Sequence, residues 1–185
     1  MRVLKLGGTS VGSASRMRGA ADIVARAARE GEPVLTVVSA VGGVTDTLVR
    51  GAEAAAQGEP AGPWVDRFRA VHREILEELA VEIGACAAAE GADALEGIAR
   101  EQEDLLRGFG LLRERPPGAV AHLCALGERA SAALLGRLLE ARGLSPTVLD
   151  PRRFIRTSGG SPLDRKSGSA GMPRPRERSR MPSSA

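Results

Sequence analysis

The chain has 185 residues, of which 43% are apolar and 26% are charged, as in ordinary soluble globular proteins. Its formal net charge of +3 is uneven, because residues 158–185 hold six basic and two acidic side chains while residues 1–157 are close to neutral. A near-neutral body with few aromatic residues argues against nucleic-acid binding, and no apolar run reaches the ~20 residues that cross a bilayer.

Cysteine and histidine usage predicts neither disulfides nor a metal centre. Cys86 and Cys124 form no Cys-x-x-Cys motif, and His72 and His122 complete no set of metal ligands. The N-terminus has no cationic stretch followed by an apolar one, which a secretory signal would have. We therefore expect a cytoplasmic protein with reduced cysteines, no membrane contact and no resident metal site.

The first predicted element is a buried strand over residues 2–6, and a glycine-rich turn follows it at once. The sequence there is Lys5-Leu6-Gly7-Gly8-Thr9-Ser10. One interpretation is an ordinary strand-to-helix turn with a solvent-facing lysine. The other is a phosphate site, in which a cation meets free N–H groups and small side chains at the carboxyl end of a parallel strand. The usual phosphate-loop patterns do not fit, because Lys5 precedes the glycines.

A helix and a second strand come next. Apolar residues at helical spacing predict a helix over about residues 13–30, with Ser13 or Ser15 as its cap. Residues 33–38 form a continuous run rich in β-branched residues, which is typical of a central parallel strand covered on both faces.

A second glycine-rich turn spans residues 39–46 and contains the hydroxyl side chains of Ser39 and Thr45. Thr45 is a suitable N-cap for a helix that runs to about residue 57. Alternatively, these hydroxyls lie at the end of a second strand and face the same crevice as Lys5.

The remaining body alternates between helical and strand patterns. Two long helices are expected near residues 64–83 and 92–113. A strand at 119–126, a helix at about 130–142 and a strand at 146–150 follow. This alternation predicts βαβ units, and hence an α/β fold with three αβα layers and a mainly parallel sheet.

Gly127 and Glu128 follow the expected strand at 119–126. Glutamate is favoured in the first turn of a helix, and that preference alone can explain Glu128. If Glu128 instead stands at a third strand end, it could bind a cation such as a substrate ammonium group.

The pattern changes after Thr157. Of the residues from 158 on, 15 of 28 are Gly, Pro or Ser, and apolar periodicity is lost. Such a segment buries too little surface to offset its ordering entropy. We expect a domain over residues 1–157 and a disordered basic tail over 158–185.

These three motifs, in this order, resemble the aspartokinases of the amino-acid kinase family. The family opens with a lysine, an apolar or aromatic residue and Gly-Gly-Thr-Ser-Val, as residues 5–11 do. Its block with Ser-Ala and a later Thr-Asp matches residues 39–46, and its Gly-Glu block matches residues 127–131. Residues 148–157 also resemble the family, so the resemblance covers residues 1–157.

The resemblance implies transfer of the γ-phosphoryl group of ATP, accompanied by Mg²⁺, to the β-carboxylate of L-aspartate. This reaction leads to lysine, threonine and methionine. The catalytic residue implied is Lys5, and Ser39, Thr45 and Glu128 would bind aspartate, with Glu128 on its amino group. The residues expected against the phosphates are Lys5, Gly7, Gly8, Thr9 and Ser10. No general base is needed, because a carboxylate is already ionised at neutral pH.

The family continues into a second half of the kinase domain, with a Gly-Gly-Ser-Asp motif and a further catalytic aspartate. Gly159-Gly160-Ser161-Pro162 is only a superficial echo of that motif. We therefore expect a truncated or frameshifted chain with an incomplete nucleotide pocket and little or no turnover.

Two alternative functions remain open, and so does the oligomeric state. The chain could be a kinase for another amino acid or for carbamate. It could also be a non-catalytic remnant that binds an amino acid or pairs with intact kinase subunits. A homo-oligomer is compatible with either.

Overall fold

The computed structural model describes residues 1–153, which fold as an α/β unit that is mostly helical. In chain order the elements are β1 (Arg2–Leu6), α1 (Ala14–Arg29), β2 (Val34–Val38), α2 (Val44–Gln57), α3 (Gly62–Ile83), α4 (Ala85–Leu112) and α5 (Pro117–Ala141), with 3₁₀ turns at Gly8–Val11 and Pro151–Arg153. The expected tail at 158–185 lies outside the described residues. None of the helices within residues 1–153 combines the length and apolarity that a bilayer span requires.

The two strands pair in parallel, which confirms the predicted connection through α1. Leu4 and Leu6 pack toward the core, whereas Val3, Leu35 and Val37 on the opposite face are 57%, 43% and 49% exposed. The expectation that β2 is covered on both faces is therefore wrong within residues 1–153. Alternate side chains of a strand point to opposite faces, and helices cover one face here.

The helix α1 begins where the sequence predicts. The Ser13 hydroxyl accepts a hydrogen bond from the Arg16 N–H at 3.3 Å, so Ser13 is the N-cap. Met17, Ala21 and Val24 lie on its buried face. This spacing of three or four residues is the pattern that identified the helix.

The core is formed mainly by α3, α4 and α5, with α2 packed against them. Gly84 alone separates α3 from α4, and its φ of +83° is a conformation that favours glycine. The two helices therefore run antiparallel, and Arg69 on α3 donates two hydrogen bonds to Glu96 on α4, at 2.9 and 3.0 Å. The start predicted for α4 at residue 92 is wrong, because the alanine-rich stretch after Gly84 already favours a helix.

The predicted strand at 119–126 is also wrong, because these residues form the first part of α5. The buried residues Val120, Leu123 and Leu126 recur every third position, which is a helical spacing. Pro117 at the first helical position removes only an N–H that has no partner within the helix.

No regular strand forms at 146–150 either. Val148 and Leu149 are 55% and 56% exposed. A strand requires a partner for its backbone groups, and residues 1–153 offer none at this position. Two strand ends, rather than three, therefore contribute to the described part of the fold.

Candidate functional site

The first glycine-rich turn keeps the Lys5 side chain beside its own backbone. Lys5 is exposed near the end of β1, and a Cβ added at Gly7 would lie 3.6 Å from its Nζ atom. The chain then enters a 3₁₀ turn, in which the Ser10 N–H donates to the Gly7 carbonyl at 2.8 Å. Thr9 and Ser10 are exposed beside it. An ammonium group, backbone N–H groups and hydroxyls together can bind a phosphoryl group.

Arg16 supports this turn, which the sequence analysis did not predict. Its guanidinium donates to the Thr9 carbonyl at 2.9 Å from the first turn of α1. A basic residue in a first helical turn has no fixed target, so its position alone gave no usable signal.

The second glycine-rich turn lies directly against the first. The Ser39 N–H donates to the Leu6 carbonyl at 2.9 Å, which continues the strand pairing by one step. A Cβ added at Gly8 would lie 2.7 Å from the carbonyl oxygen of Ala40 and 3.5 Å from the Gly42 nitrogen. Only glycine allows this approach. The two turns therefore share one edge of the sheet, as parallel strand ends do.

Thr45 lies within the first turn of α2, so its predicted role as the N-cap is wrong. Gly43, with a φ of +82°, occupies the cap position without a side-chain hydrogen bond. The Thr47 hydroxyl donates to the Gly43 carbonyl at 3.0 Å and holds the turn. Thr45 is exposed, next to N–H groups of the first turn that have no partner within the helix.

A cavity of about 170 Å³ opens between this turn and α3. It is lined by Gly42, Gly43, Val44, Thr47, Arg67, Phe68 and Val71. A second cavity, of about 320 Å³, lies between α4 and α5. Its charged lining residues are Glu101 and Asp104, so it would repel an anion rather than bind one.

Glu128 lies inside α5 and not at a third strand end, so the strand-end placement is wrong. The helix nevertheless brings it to the same region. A Cβ added at Gly127 would lie 2.8 Å from the Ala40 Cβ and 3.0 Å from the Val44 Cγ1. Glu128 therefore follows directly on a residue in contact with the second turn. Although Glu128 remains exposed, partial desolvation by surrounding protein atoms raises the pKa of its carboxyl group.

The adjacent Arg129 does not neutralise Glu128. Its guanidinium donates to Glu101 on α4, and its Nε atom lies 3.9 Å from an Asp150 carboxylate oxygen. Hydrogen bonds from Arg152 in turn lower the pKa of Asp150 to about 2. Within residues 1–153 Glu128 forms no ion pair, so its carboxylate is available to a cationic ligand.

All three sequence motifs thus meet around Ala40, which contacts Gly8 on one side and Gly127 on the other. The profile of the amino acid kinase family matches residues 1–181. The chain belongs to the amino acid kinase family. The match extends past residue 157, where the sequence analysis ended the domain.

Known members of the amino acid kinase family give the same result. An aspartokinase from Chlamydia muridarum (strain MoPn / Nigg) is 34% identical over 155 residues, which are 84% of this chain and 31% of the relative. The crystal structure of E. coli aspartokinase III in complex with aspartate and ADP (R-state) aligns with a TM-score of 0.55 at 29% identity. That alignment covers 77% of this chain and 29% of the other. The chain therefore spans about a third of the length of these relatives.

Proposed function

We propose that this chain carries the aspartate-binding and phosphate-binding part of an ATP-dependent aspartate kinase. The reaction is phosphorylation of the β-carboxylate of L-aspartate to 4-phospho-L-aspartate, in the cytoplasmic biosynthesis of lysine, threonine and methionine. The observation that carries the proposal is the contact of Ala40 with both Gly8 and Gly127. This contact joins the first glycine-rich turn (the lysine turn, residues 5–10), the second one (the hydroxyl turn, residues 39–46) and Glu128.

The charges of the site suit the two ligands. Lys5 supplies a compact positive charge for the phosphates, and the small residues Gly7 and Gly8 let the backbone approach them. Glu128 supplies a carboxylate for the ammonium group of aspartate. Ser39 and Thr45 offer neutral hydroxyls to the remaining oxygens of the amino acid.

Phosphoryl transfer asks the protein mainly to position its reactants and to stabilise charge on the transferring oxygens. Lys5 performs the second task in this proposal, and the two turns perform the first. The attacking β-carboxylate is ionised at neutral pH, so the chain does not have to remove a proton from it.

Magnesium would enter bound to the phosphates of ATP. Residues 1–153 hold no cluster of three His, Cys, Asp or Glu side chains that could form a metal site of their own. The ion would neutralise phosphate charge, and we assign no residue of this chain as its ligand.

Isothermal titration of the purified 185-residue chain with L-aspartate and with Mg·ATP tests the proposal. Glu128→Gln should weaken aspartate binding about tenfold, because it removes a charge-assisted contact, and should leave Mg·ATP binding unchanged. Lys5→Met should do the reverse. Glu59→Gln, at an exposed loop position, is the matched control and should change neither affinity.

These two titrations, together with titrations of glutamate and acetylglutamate, also separate the alternatives. Aspartate binding without Mg·ATP binding would favour a non-catalytic remnant, and tighter binding of glutamate or acetylglutamate would favour another amino-acid kinase. In a coupled assay we expect negligible turnover from this chain alone. Robust aspartate-dependent ADP formation would contradict that expectation, and the absence of aspartate binding would contradict the proposed function itself.

A further inference from the structure

We propose that Ala40 and Gly127 are positioning residues, which set the separation between the lysine turn and Glu128 and thereby the fit of the amino-acid substrate. The proposal rests on the proposed function for the identity of that substrate. The geometry behind it comes from the packing of α5 against the second turn.

Ala40 is buried between the two sides of the candidate site. It is 6% exposed, its carbonyl oxygen faces Gly8, and its methyl group faces Gly127. A methyl group added at Gly8 or at Gly127 would lie less than 3.0 Å from an atom of Ala40, and real Cβ atoms rarely approach other heavy atoms so closely. Neither Gly8 nor Gly127 can therefore carry a methyl group unless Ala40 or the backbone shifts.

The two contacts involve different atoms of Ala40, so one substitution of Ala40 can distinguish them. A Cβ at Gly127 would meet the Ala40 side chain at 2.8 Å, whereas a Cβ at Gly8 would meet the Ala40 backbone oxygen at 2.7 Å. Replacing Ala40 by glycine removes the 2.8 Å contact at Gly127, where the Val44 Cγ1 atom at 3.0 Å then becomes the nearest neighbour, and keeps the obstacle at Gly8. The same second-site change should therefore rescue one substitution and not the other.

Displacement of α5 would act on Glu128 before any other residue of the site. Gly127→Ala pushes α5 away from the second turn, and Glu128 is the next residue along the helix. Gly8 meets Ala40 through the carbonyl oxygen and not through the methyl group, and the turn around Gly7 keeps its own hydrogen bond from the Ser10 N–H. The expected result is a selective loss of aspartate affinity, since small displacements in a fitted site are costly.

The test measures L-aspartate and Mg·ATP affinities and thermal unfolding for the full chain and five variants, of which one is a control. Gly127→Ala should weaken aspartate binding about tenfold or more, with a smaller effect on Mg·ATP. Adding Ala40→Gly to it should restore part of the affinity, because the closest contact is removed while Val44 Cγ1 stays at 3.0 Å. Gly8→Ala should weaken Mg·ATP binding, and adding Ala40→Gly to Gly8→Ala should not restore it.

Gly97→Ala on α4 is the matched control, because no atom lies within 4 Å of the added methyl group. It should leave both affinities unchanged and stabilise the helix slightly. If Gly127→Ala alone fails to fold, the proposal is judged on the double variant, which must fold and bind aspartate.

The outcomes separate the two proposals. If the unmodified chain binds no aspartate, the proposed function is wrong and the positioning role falls with it. If it binds aspartate and Gly127→Ala binds equally well, only the positioning role is wrong. The same holds if Gly127→Ala merely lowers the melting temperature, or if Ala40→Gly fails to rescue it.

Discussion

Within residues 1–153, the neighbours of Glu128 leave its carboxylate available to a cationic ligand. Arg129, the cation adjacent in sequence, is bound to Glu101, and crowding by nearby protein atoms raises the pKa of the Glu128 carboxyl group. A carboxylate that is partly desolvated and without an ion pair within residues 1–153 gains more from a ligand ammonium group than a fully hydrated one does.

The raised pKa of the Glu128 carboxyl group predicts a pH dependence for aspartate binding. The ionised form of Glu128 binds the ammonium group, so affinity should be full above the raised pKa and should fall as the pH drops through it. Titration calorimetry at successive pH values measures this. Glu128→Gln should show weaker binding with a flat profile over the same range, until the substrate's own carboxylates protonate near pH ~4.

A profile identical in both proteins would contradict the assignment of the ammonium group to Glu128. Enthalpies measured in buffers of different ionisation heat provide a second readout. Binding to the unmodified chain near the raised pKa should release protons, because the ligand favours the ionised carboxylate, whereas binding to the variant should not.

At the scale of elements, the sequence predicted what depends on local pattern. The capped start of α1 and the glycine-rich turns follow from side chains that act on their own neighbours, and the strand–helix–strand order favours the parallel pairing of β1 with β2. The first part of α5 was mistaken for a strand, because a short apolar run has no unambiguous period.

The convergence of the three motifs was predicted from the sequence, but the contacts that bring them together were not. Lys5, Ser39 and Glu128 carry visible chemistry, whereas Ala40 and Gly127 carry none, and their importance lies in a contact between distant segments. Arg16 was missed for a different reason, because a basic side chain in a first helical turn has no fixed target even when its partner, Thr9, is only seven residues away. Spacing along a chain reports on local structure, while close approach of two backbones is set by tertiary packing.

The turn at Pro151–Arg153 is held by charge, which gives a testable contribution to stability. Hydrogen bonds from Arg152, at 2.6 to 3.0 Å, lower the pKa of Asp150 from 3.8 to about 2. A carboxyl group whose pKa is lowered on folding stabilises the fold above its unfolded pKa. That contribution is lost as the pH falls through about 2.

Asp150→Asn should therefore lower the free energy of unfolding by about 1 kcal/mol at neutral pH. The difference from the unmodified chain should shrink as the pH falls below 4 and vanish near pH ~2. Urea unfolding at several pH values measures it. Asp66→Asn, which removes a single exposed ion pair with Arg69, is the control and should have little effect at any pH. A constant difference across this range would contradict the role of the Asp150 charge.

At the scale of the molecule, residues 1–153 combine a well-packed helical side with a sheet face that they leave open. Val3, Leu35 and Val37 are exposed side by side on that face, and the outer edge of each strand carries backbone groups without a partner in residues 1–153. Exposed apolar faces and free strand edges favour association.

The open face predicts self-association that depends on concentration. Leu35→Thr combined with Val37→Thr should weaken it about tenfold, because apolar area is removed while the β-branched character of the strand is kept. Ile23→Gln combined with Val81→Gln removes exposed apolar side chains from α1 and α3 and should have no effect. Sedimentation velocity over a concentration series measures both. Equal weakening by the two double variants would indicate general stickiness, and a monomer at every concentration would show that the sheet face does not associate.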